Sequence, residues 1–260
     1  MTGRIFSVVG ALFLLTVCSK GSQSNAAPAA PPPAPPAPAT ASDVAAAGGT
    51  ITGKIKFTGT APRNPAIDMS EEAACKAKYT TTPTEENVVA GAANALSNVF
   101  VYVKTGVSAG QTFTAPTTPV TLDQNGCRYH PHVFGIMVGQ GLEIVNSDPV
   151  LHNIKAIAKN NRPFNVSQPG AGMKTTRTFS APEVMVNLEC NVHGWMHAYL
   201  GVRPDPFYAV SGTDGNFSIT GLPPGTYTIE AWHEKFGTQT ATVTIAGTES
   251  KTANFTFAAH

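Results

Sequence analysis

The chain has 260 residues and a formal net charge of +1, with 42% hydrophobic, 13% charged and 8% aromatic residues. A leader and a low-complexity stretch take up the first 47, which leaves about 213 for folded structure, one large or two ordinary domains. Arg4, Lys20 and Asp43 fall in those first 47, so residues 48–260 keep 15 Lys plus Arg against 15 Asp plus Glu, a neutral balance that gives no sign of a surface for nucleic-acid phosphates.

Met1 to Arg4 form a short basic start, followed by an apolar run over residues 5–17. That run is shorter than the ~20 residues a spanning helix needs and suits a secretory signal. The mature protein is therefore expected outside the cytoplasm, in the periplasm or on the outer cell surface. Residues 15–18, Leu-Thr-Val-Cys, resemble a bacterial lipobox. The resemblance implies a signal over 1–18, a lipid on Cys18 and, from Ser19, sorting to the outer membrane. Ordinary cleavage near Ala26 or Ala27 is the alternative. Within the stretch 19–47, residues 25–47 hold 7 Pro and 11 Ala, a composition that cannot bury a core and prefers an extended chain. It reads as a tether reaching at most ~70 Å at ~3.1 Å per residue.

From Gly48 onward, short β-branched and aromatic runs alternate with turn residues, the pattern of an all-β chain built from β-sandwiches. Strands are expected at 50–57, 99–104, 120–122, 133–138, 142–146, 152–158, 175–179, 184–190, 198–203, 216–220, 225–233 and 239–245. One helix is expected at 70–78, with Ser70 as N-cap and Glu71 and Glu72 in its first turn. The four cysteines, 18, 75, 127 and 190, divide by role. Cys18 suits a lipid, Cys75 and Cys127 could form a disulfide in an oxidising compartment, and Cys190 stays a single thiol among histidines. A 75–127 bridge closes a loop of roughly 50 residues, for about 4 kcal/mol in the chain-entropy model.

The chemistry concentrates in Cys190, His193 and Met196, a Cys-x-x-His-x-x-Met run directly after an apolar strand. Thiolate, imidazole and thioether on one short loop suit copper. His152 opens another strand 38 residues earlier, and two neighbouring strands of a sandwich can bring the four together at one end. Cysteine and two histidines would also suit zinc, but zinc would take a fourth ligand other than Met. A dinuclear copper centre would need a second cysteine on the loop. The apolar residues Val186, Leu188 and Val145 are expected to enclose Cys190 and help set a redox potential.

The residues from about 120 to 203, with His152, Asn153, Cys190, His193 and Met196 in that order, resemble the cupredoxins, and the two-residue gaps on both sides of His193 match the amicyanins. The resemblance implies a Greek-key β-sandwich over 118–205 holding one mononuclear type 1 copper. His152, Cys190, His193 and Met196 would be its ligands, and Asn153 would tie the two ligand-bearing segments together. His197 could compete with Met196, but adjacent residues of a strand point to opposite faces, so His197 is expected at the surface. His130 and His132, two apart, would share a strand face and form an accessory copper site, or serve as structural histidines. Trp195 reads either as part of an apolar docking rim around an exposed edge of His193 or as a packed loop aromatic.

Residues 207–257, with the turn Pro223-Pro224-Gly225, resemble the carboxypeptidase regulatory-like, transthyretin-type β-sandwich, and residues 49–55 resemble its opening strand. This implies that 48–117 and 206–260 build one sandwich around an inserted cupredoxin; three separate modules in series are the alternative. As a whole the chain resembles bacterial methylamine-utilisation or plastocyanin-like proteins. The expected function is single-electron transfer outside the cytoplasm with a cytochrome or another periplasmic oxidoreductase. A copper-delivery protein, or a surface module that binds glycans or protein with copper secondary, are the alternatives. An enzyme is not expected, because a fully ligated metal leaves no position for substrate and Cys190 has no oriented base visible in the sequence.

Overall fold

The computed structural model describes residues 48–259, and it is all-β. Its strands are β1 (Gly49–Thr58), β2 (Phe100–Thr105), β3 (Val120–Gln124), β4 (Tyr129–His130), β5 (Val133–Met137), β6 (Gly141–Asn146), β7 (His152–Ile157), β8 (Phe164–Gln168) and β9 (Lys174–Thr178). They continue with β10 (Glu183–Glu189), β11 (His197–Arg203), β12 (Tyr208–Val210), β13 (Asn216–Leu222), β14 (Gly225–His233), β15 (Gly237–Ile245), β16 (Ser250–Thr252) and β17 (Phe255–Ala258). All twelve expected strands are present with small shifts at their ends.

Five strands go beyond those the sequence pattern singled out, and three of them are too short or too exposed to carry its signal. β4 has two residues, β12 has three and all of β16 is exposed; none can show an apolar period. β8, an edge strand, and β17, which runs parallel to β1 from the far end of the chain, do alternate, with Phe164 and Val166 against the middle core and Phe255 and Phe257 in the terminal one. The expected helix at 70–78 shrinks to α1 (Ala73–Lys76), with Glu72 and not Ser70 at its N-cap. The Ser70 N–H instead donates to Asp68 Oδ1 at 2.9 Å, a local turn that competes with helix initiation.

Four sheets form, in the orders β13-β1-β16 with β17 also on β1, β12-β2-β14-β15, β5-β11-β10-β7-β8, and β4-β3-β6-β9. β1 and β2 thus share sheets with strands from the other end of the chain, while β3–β11 make a second sandwich between them in sequence. Strand alternation assigns the faces. Val101 and Val103 of β2 point into a core with Ile51, Ile55, Ile229 and Phe257. Phe100 and Tyr102 point the other way, into a smaller cluster with Val133, Tyr199, Tyr208 and Trp232. On β11, Ala198, Leu200 and Val202 point into the core of the middle sandwich with Leu122, Ile144, Val186 and Leu188.

The junction between the two sandwiches rests on a pair of glycines. Gly135 of β5 lies opposite Gly201 of β11, leaving a flat spot for two aromatic rings. A Cβ on Gly201 would stand 2.3 Å from Phe100 Cζ, and one on Gly135 would stand 2.4 Å from Tyr208 Cε2. Beside them the buried Arg203 reaches across, donating to the Val103 carbonyl at 2.7 Å and to Asp205 Oδ2 at 3.0 Å. Its guanidinium also lies over the Tyr102 ring at 4.5 Å. Residues between β1 and β2 divide their contacts: Val88 and Leu96 join the terminal sandwich, whereas Ile67, Met69 and Cys75 are buried against the middle one. Cys75 is disulfide-bonded to Cys127.

Gly201→Val should strain the junction by about 1–3 kcal/mol, the usual cost of overpacking, and lower the Tm in a calorimetric melt. Gly170→Ala, with nothing within 4 Å of the added carbon, should be neutral in the same melt. Equal melting of the two variants would contradict the packing described.

Candidate metal centre

Two loops at one end of the middle sandwich meet. The first joins β6 to β7 and is tied down by Asn146, whose side chain donates to the Val150 carbonyl and accepts from the Asp148 N–H, both at 2.9 Å. This fixes His152 at the first position of β7. The second joins β10 to β11 and closes on itself. The Cys190 N–H donates to the Met196 carbonyl at 3.1 Å, and the Met196 N–H donates to the His193 carbonyl at 2.9 Å. The His193 N–H also donates to Cys190 Sγ at 3.4 Å.

The side chains converge. His152 Nδ1 is 3.0 Å from His193 Nδ1, and Cys190 Sγ is 4.0 Å from His193 Nδ1. The three donor atoms all lie within 4.8 Å of one another. Met196 is buried in the same cluster as Cys190. Exposure is 0% for His152, 4% for Cys190, 3% for His193 and 1% for Met196, so the place is closed to solvent. Metal bonds of ~2.0 Å to nitrogen and ~2.3 Å to sulfur are long enough for one ion to span these separations.

The outer edges of both imidazoles face carboxylates. His152 Nε2 is 3.0 Å from Asp148 Oδ2, and His193 Nε2 is 3.6 Å from Glu72 Oε2. Asp148 thus takes the outer ring proton of His152 and leaves its inner nitrogen's lone pair for a cation, whereas Glu72 lies beyond hydrogen-bond reach of His193. Asp148 is itself fully enclosed, accepting from the N–H groups of Cys127 (2.6 Å) and Gly126 (2.9 Å) and pairing with Lys78 at 3.2 Å. Burial pushes its carboxyl up, but His152, the two N–H groups and Lys78 together hold it down to about 2. For His152, burial favours the neutral ring, yet Asp148 and Cys190 raise its pKa overall. Cys190 follows the carboxylate pattern: burial opposes ionisation, and hydrogen bonds from His152, His193 and the backbone bring it to about 5. It is therefore a thiolate at neutral pH, the form that binds metal.

Asn153, next to His152, bridges the two loops. Its Oδ1 accepts the Asn191 N–H at 2.6 Å and lies 3.3 Å from Cys190 Sγ, and its Nδ2 donates to Asn165 at 2.5 Å.

Several sequence expectations need correction. Val145 was expected in the pocket around Cys190, but strand alternation on β6 turns it away and Ile144 takes the inner face. No edge of His193 is exposed: Glu72, the Cys75 sulfur at 4.0 Å and the Trp195 ring at 5.1 Å cover it. Trp195 is a packed loop aromatic whose indole N–H donates to the Cys127 carbonyl at 2.9 Å. His130 and His132 do not share a face. Pro131 has no N–H to continue the ladder, so β4 ends at His130 in one sheet and β5 begins at Val133 in another. His132 instead meets Glu234 and His197, and His197 points away from Met196 as alternation requires, half-buried with its side chain 21% exposed. Cys18, Ser19 and the tether lie outside the described residues. Asp148 and Glu72 were not recognised as part of the centre. For Asp148 a signal existed, a carboxylate four positions before a candidate ligand histidine; for Glu72, far away in sequence, there was none.

Against known proteins, the carboxypeptidase regulatory-like domain family model matches residues 202–258. No curated protein matches the chain. Among solved structures, a copper-containing nitrite reductase from Thermus scotoductus SA-01 is similar, with 26% identity over 39% of this chain and a TM-score of 0.32. The match spans only 26% of the reductase. An amicyanin mutant in its Cu(I) form shares 14% identity over 40% of this chain and 98% of its own, with a TM-score of 0.30. A purple cupredoxin from Nitrosopumilus maritimus shares 22% identity over 32% of this chain and 97% of its own, with a TM-score of 0.28.

The depressed Asp148 carboxyl contributes stability that is complete above its unfolded range near 3.8 and is lost as the pH falls towards about 2. Asp148→Asn should therefore cost the metal-free protein on the order of 2 kcal/mol at pH 7 and flatten the acid side of its stability curve, as followed by urea unfolding between pH 2 and 7. Loss of the covering bridge in the Cys75→Ala, Cys127→Ala double variant should cost ~2–5 kcal/mol and speed metal release to a chelator by uncovering His193.

Proposed function

We propose that the chain is a type 1 copper protein that carries single electrons between redox partners outside the cytoplasm. The observation that supports this most directly is the convergence of two imidazole Nδ1 atoms and a thiolate in an enclosed site, with a buried methionine beside them. Soft and borderline donors of this kind select copper, and the trigonal His-His-Cys set with a weak methionine is the donor arrangement of blue-copper sites. His152, Cys190, His193 and Met196 would hold the ion. Copper bound there would supply a Cu(I)/Cu(II) couple.

The protein's own part is to hold these donors still. Asn153 locks one ligand loop to the other, Asp148 fixes the ring of His152, and the hydrogen bonds between Cys190, His193 and Met196 keep the second loop closed. A site this enclosed suits retention of the ion better than its rapid handover, which favours electron transfer over copper delivery. Leu151 and Val192, 41% and 48% exposed, each precede a ligand histidine and offer apolar contact to a redox partner such as a cytochrome. Placement in the periplasm or on the outer surface, with or without a lipid on Cys18, rests on the leader sequence.

One equivalent of Cu(II) added to the full-length protein should give an intense thiolate-to-copper visible band and narrow copper hyperfine splitting in electron paramagnetic resonance. Cys190→Ser should abolish the band, and Met196→Leu should retain copper with a shifted potential. A Cys190→Ser protein of unchanged colour would refute the assignment, and a colourless wild-type product would turn the reading towards copper delivery or a binding module.

A further inference from the structure

We propose that His132, His197 and Glu234 form a second metal site, for a divalent cation of the zinc or copper class, where the two sandwiches meet. The three residues come from separate segments. His132 lies between β4 and β5, His197 opens β11, and Glu234 sits in the turn from β14 to β15, so the middle sandwich contributes two donors and the terminal sandwich one. Their donor atoms lie within 4.8 Å of one another.

Each oxygen of the Glu234 carboxylate faces one ring nitrogen. His132 Nε2 is 2.5 Å from Oε1, and His197 Nε2 is 3.9 Å from Oε2. The two rings stand 5.1 Å apart and nearly perpendicular, at 75°. The other nitrogen of His197, Nδ1, is 3.1 Å from the Trp195 carbonyl. That contact takes the ring proton and turns the Nε2 lone pair towards the carboxylate, an arrangement of two acceptors that a cation between them satisfies. Tyr199 helps orient the carboxylate, its hydroxyl donating to Oε2 at 3.4 Å. The Glu234 and His132 side chains are only 3% and 5% exposed, so desolvation strengthens any ion they hold.

A simple ion pair across the junction would need one histidine; here two converge on one carboxylate. Two imidazoles and a glutamate are the donor set of open zinc sites, in which water takes the fourth position. A cleft of about 10 Å³ beside His132 and His197, also lined by Glu85, Glu86 and Arg128, with Arg128 paired to Glu86 at 3.2 Å, has room for roughly one water. The site contains no thiolate, so it differs chemically from the centre at Cys190. The two are nonetheless close in the chain, because Met196 and His197 are consecutive and face opposite ways.

The test uses full-length protein already loaded with one copper and freed of excess, titrated with Co(II) by calorimetry and visible absorption. A further equivalent should bind per chain, giving weak d–d bands and no sulfur charge transfer, and should raise the Tm because both sandwiches hold the ion. Glu234→Gln and His132→Asn should each weaken this step at least tenfold while leaving the copper-thiolate band intact, which also shows that the variants fold. The same titration of Cys190→Ser protein reads the second site even if the first takes no copper. Absence of the further equivalent from the wild type, or its survival in Glu234→Gln, His132→Asn and His197→Gln alike, would overturn the proposal.

Discussion

Strand β11 obeys the period of two that any extended chain imposes, and most of the molecule follows from which residue falls on which side. Ala198, Leu200 and Val202 point into the middle core and support the wall beneath Cys190. His197, Tyr199, Gly201 and Arg203 point out and meet the terminal sandwich. A slip of one residue would exchange the two sets, burying Arg203 in the middle core and placing Val202 where Phe100 needs a glycine. The parallel register of β11 with β5, which sets Gly201 opposite Gly135, is thus held by both neighbouring cores at once.

Enclosure has an electrostatic consequence at the candidate metal centre. Buried imidazoles and a buried thiol resist charge, and in isolation each would be neutral. Asp148 reverses this on one side because it is anchored by two backbone N–H groups and Lys78 before it meets His152. Glu72 lies 3.6 Å from the outer nitrogen of His193, on a segment held down by the Cys75–Cys127 bond. The irregular chain between β1 and β2 therefore acts as a cover for the centre, and the disulfide couples that cover to the loop carrying Gly126 and Cys127, whose N–H groups hold Asp148. Removal of the bridge would disturb both histidine supports together.

Much of this was legible in the residues themselves. The apolar alternation and turn residues pointed to an all-β chain and to strands whose ends the structure moves by only a few positions. The spacing of Cys190, His193 and Met196 identified a donor-rich loop because those side chains are crowded within seven positions. What escaped were features with no local signature. β16 is wholly exposed and polar; it is a strand only because β1 offers it a free edge. The helix at 70–78 dwindled because Asp68 captured the Ser70 N–H and the segment packed through Met69 and Cys75. His130 and His132 looked like a pair until the strand ended between them.

By itself the sequence determined the donor types, their spacing on one loop, the β class and the alternation that separates Met196 from His197, since these depend on side-chain chemistry and on backbone geometry over a few residues. Tertiary structure decided which distant groups meet: Glu72 outside His193, Glu234 opposite His132 and His197, and Phe100 on the paired glycines. Those partners lie tens to more than a hundred positions apart for the most part. Only the closing of sheets over shared cores, a cooperative outcome of burial across the whole chain, brings them into contact.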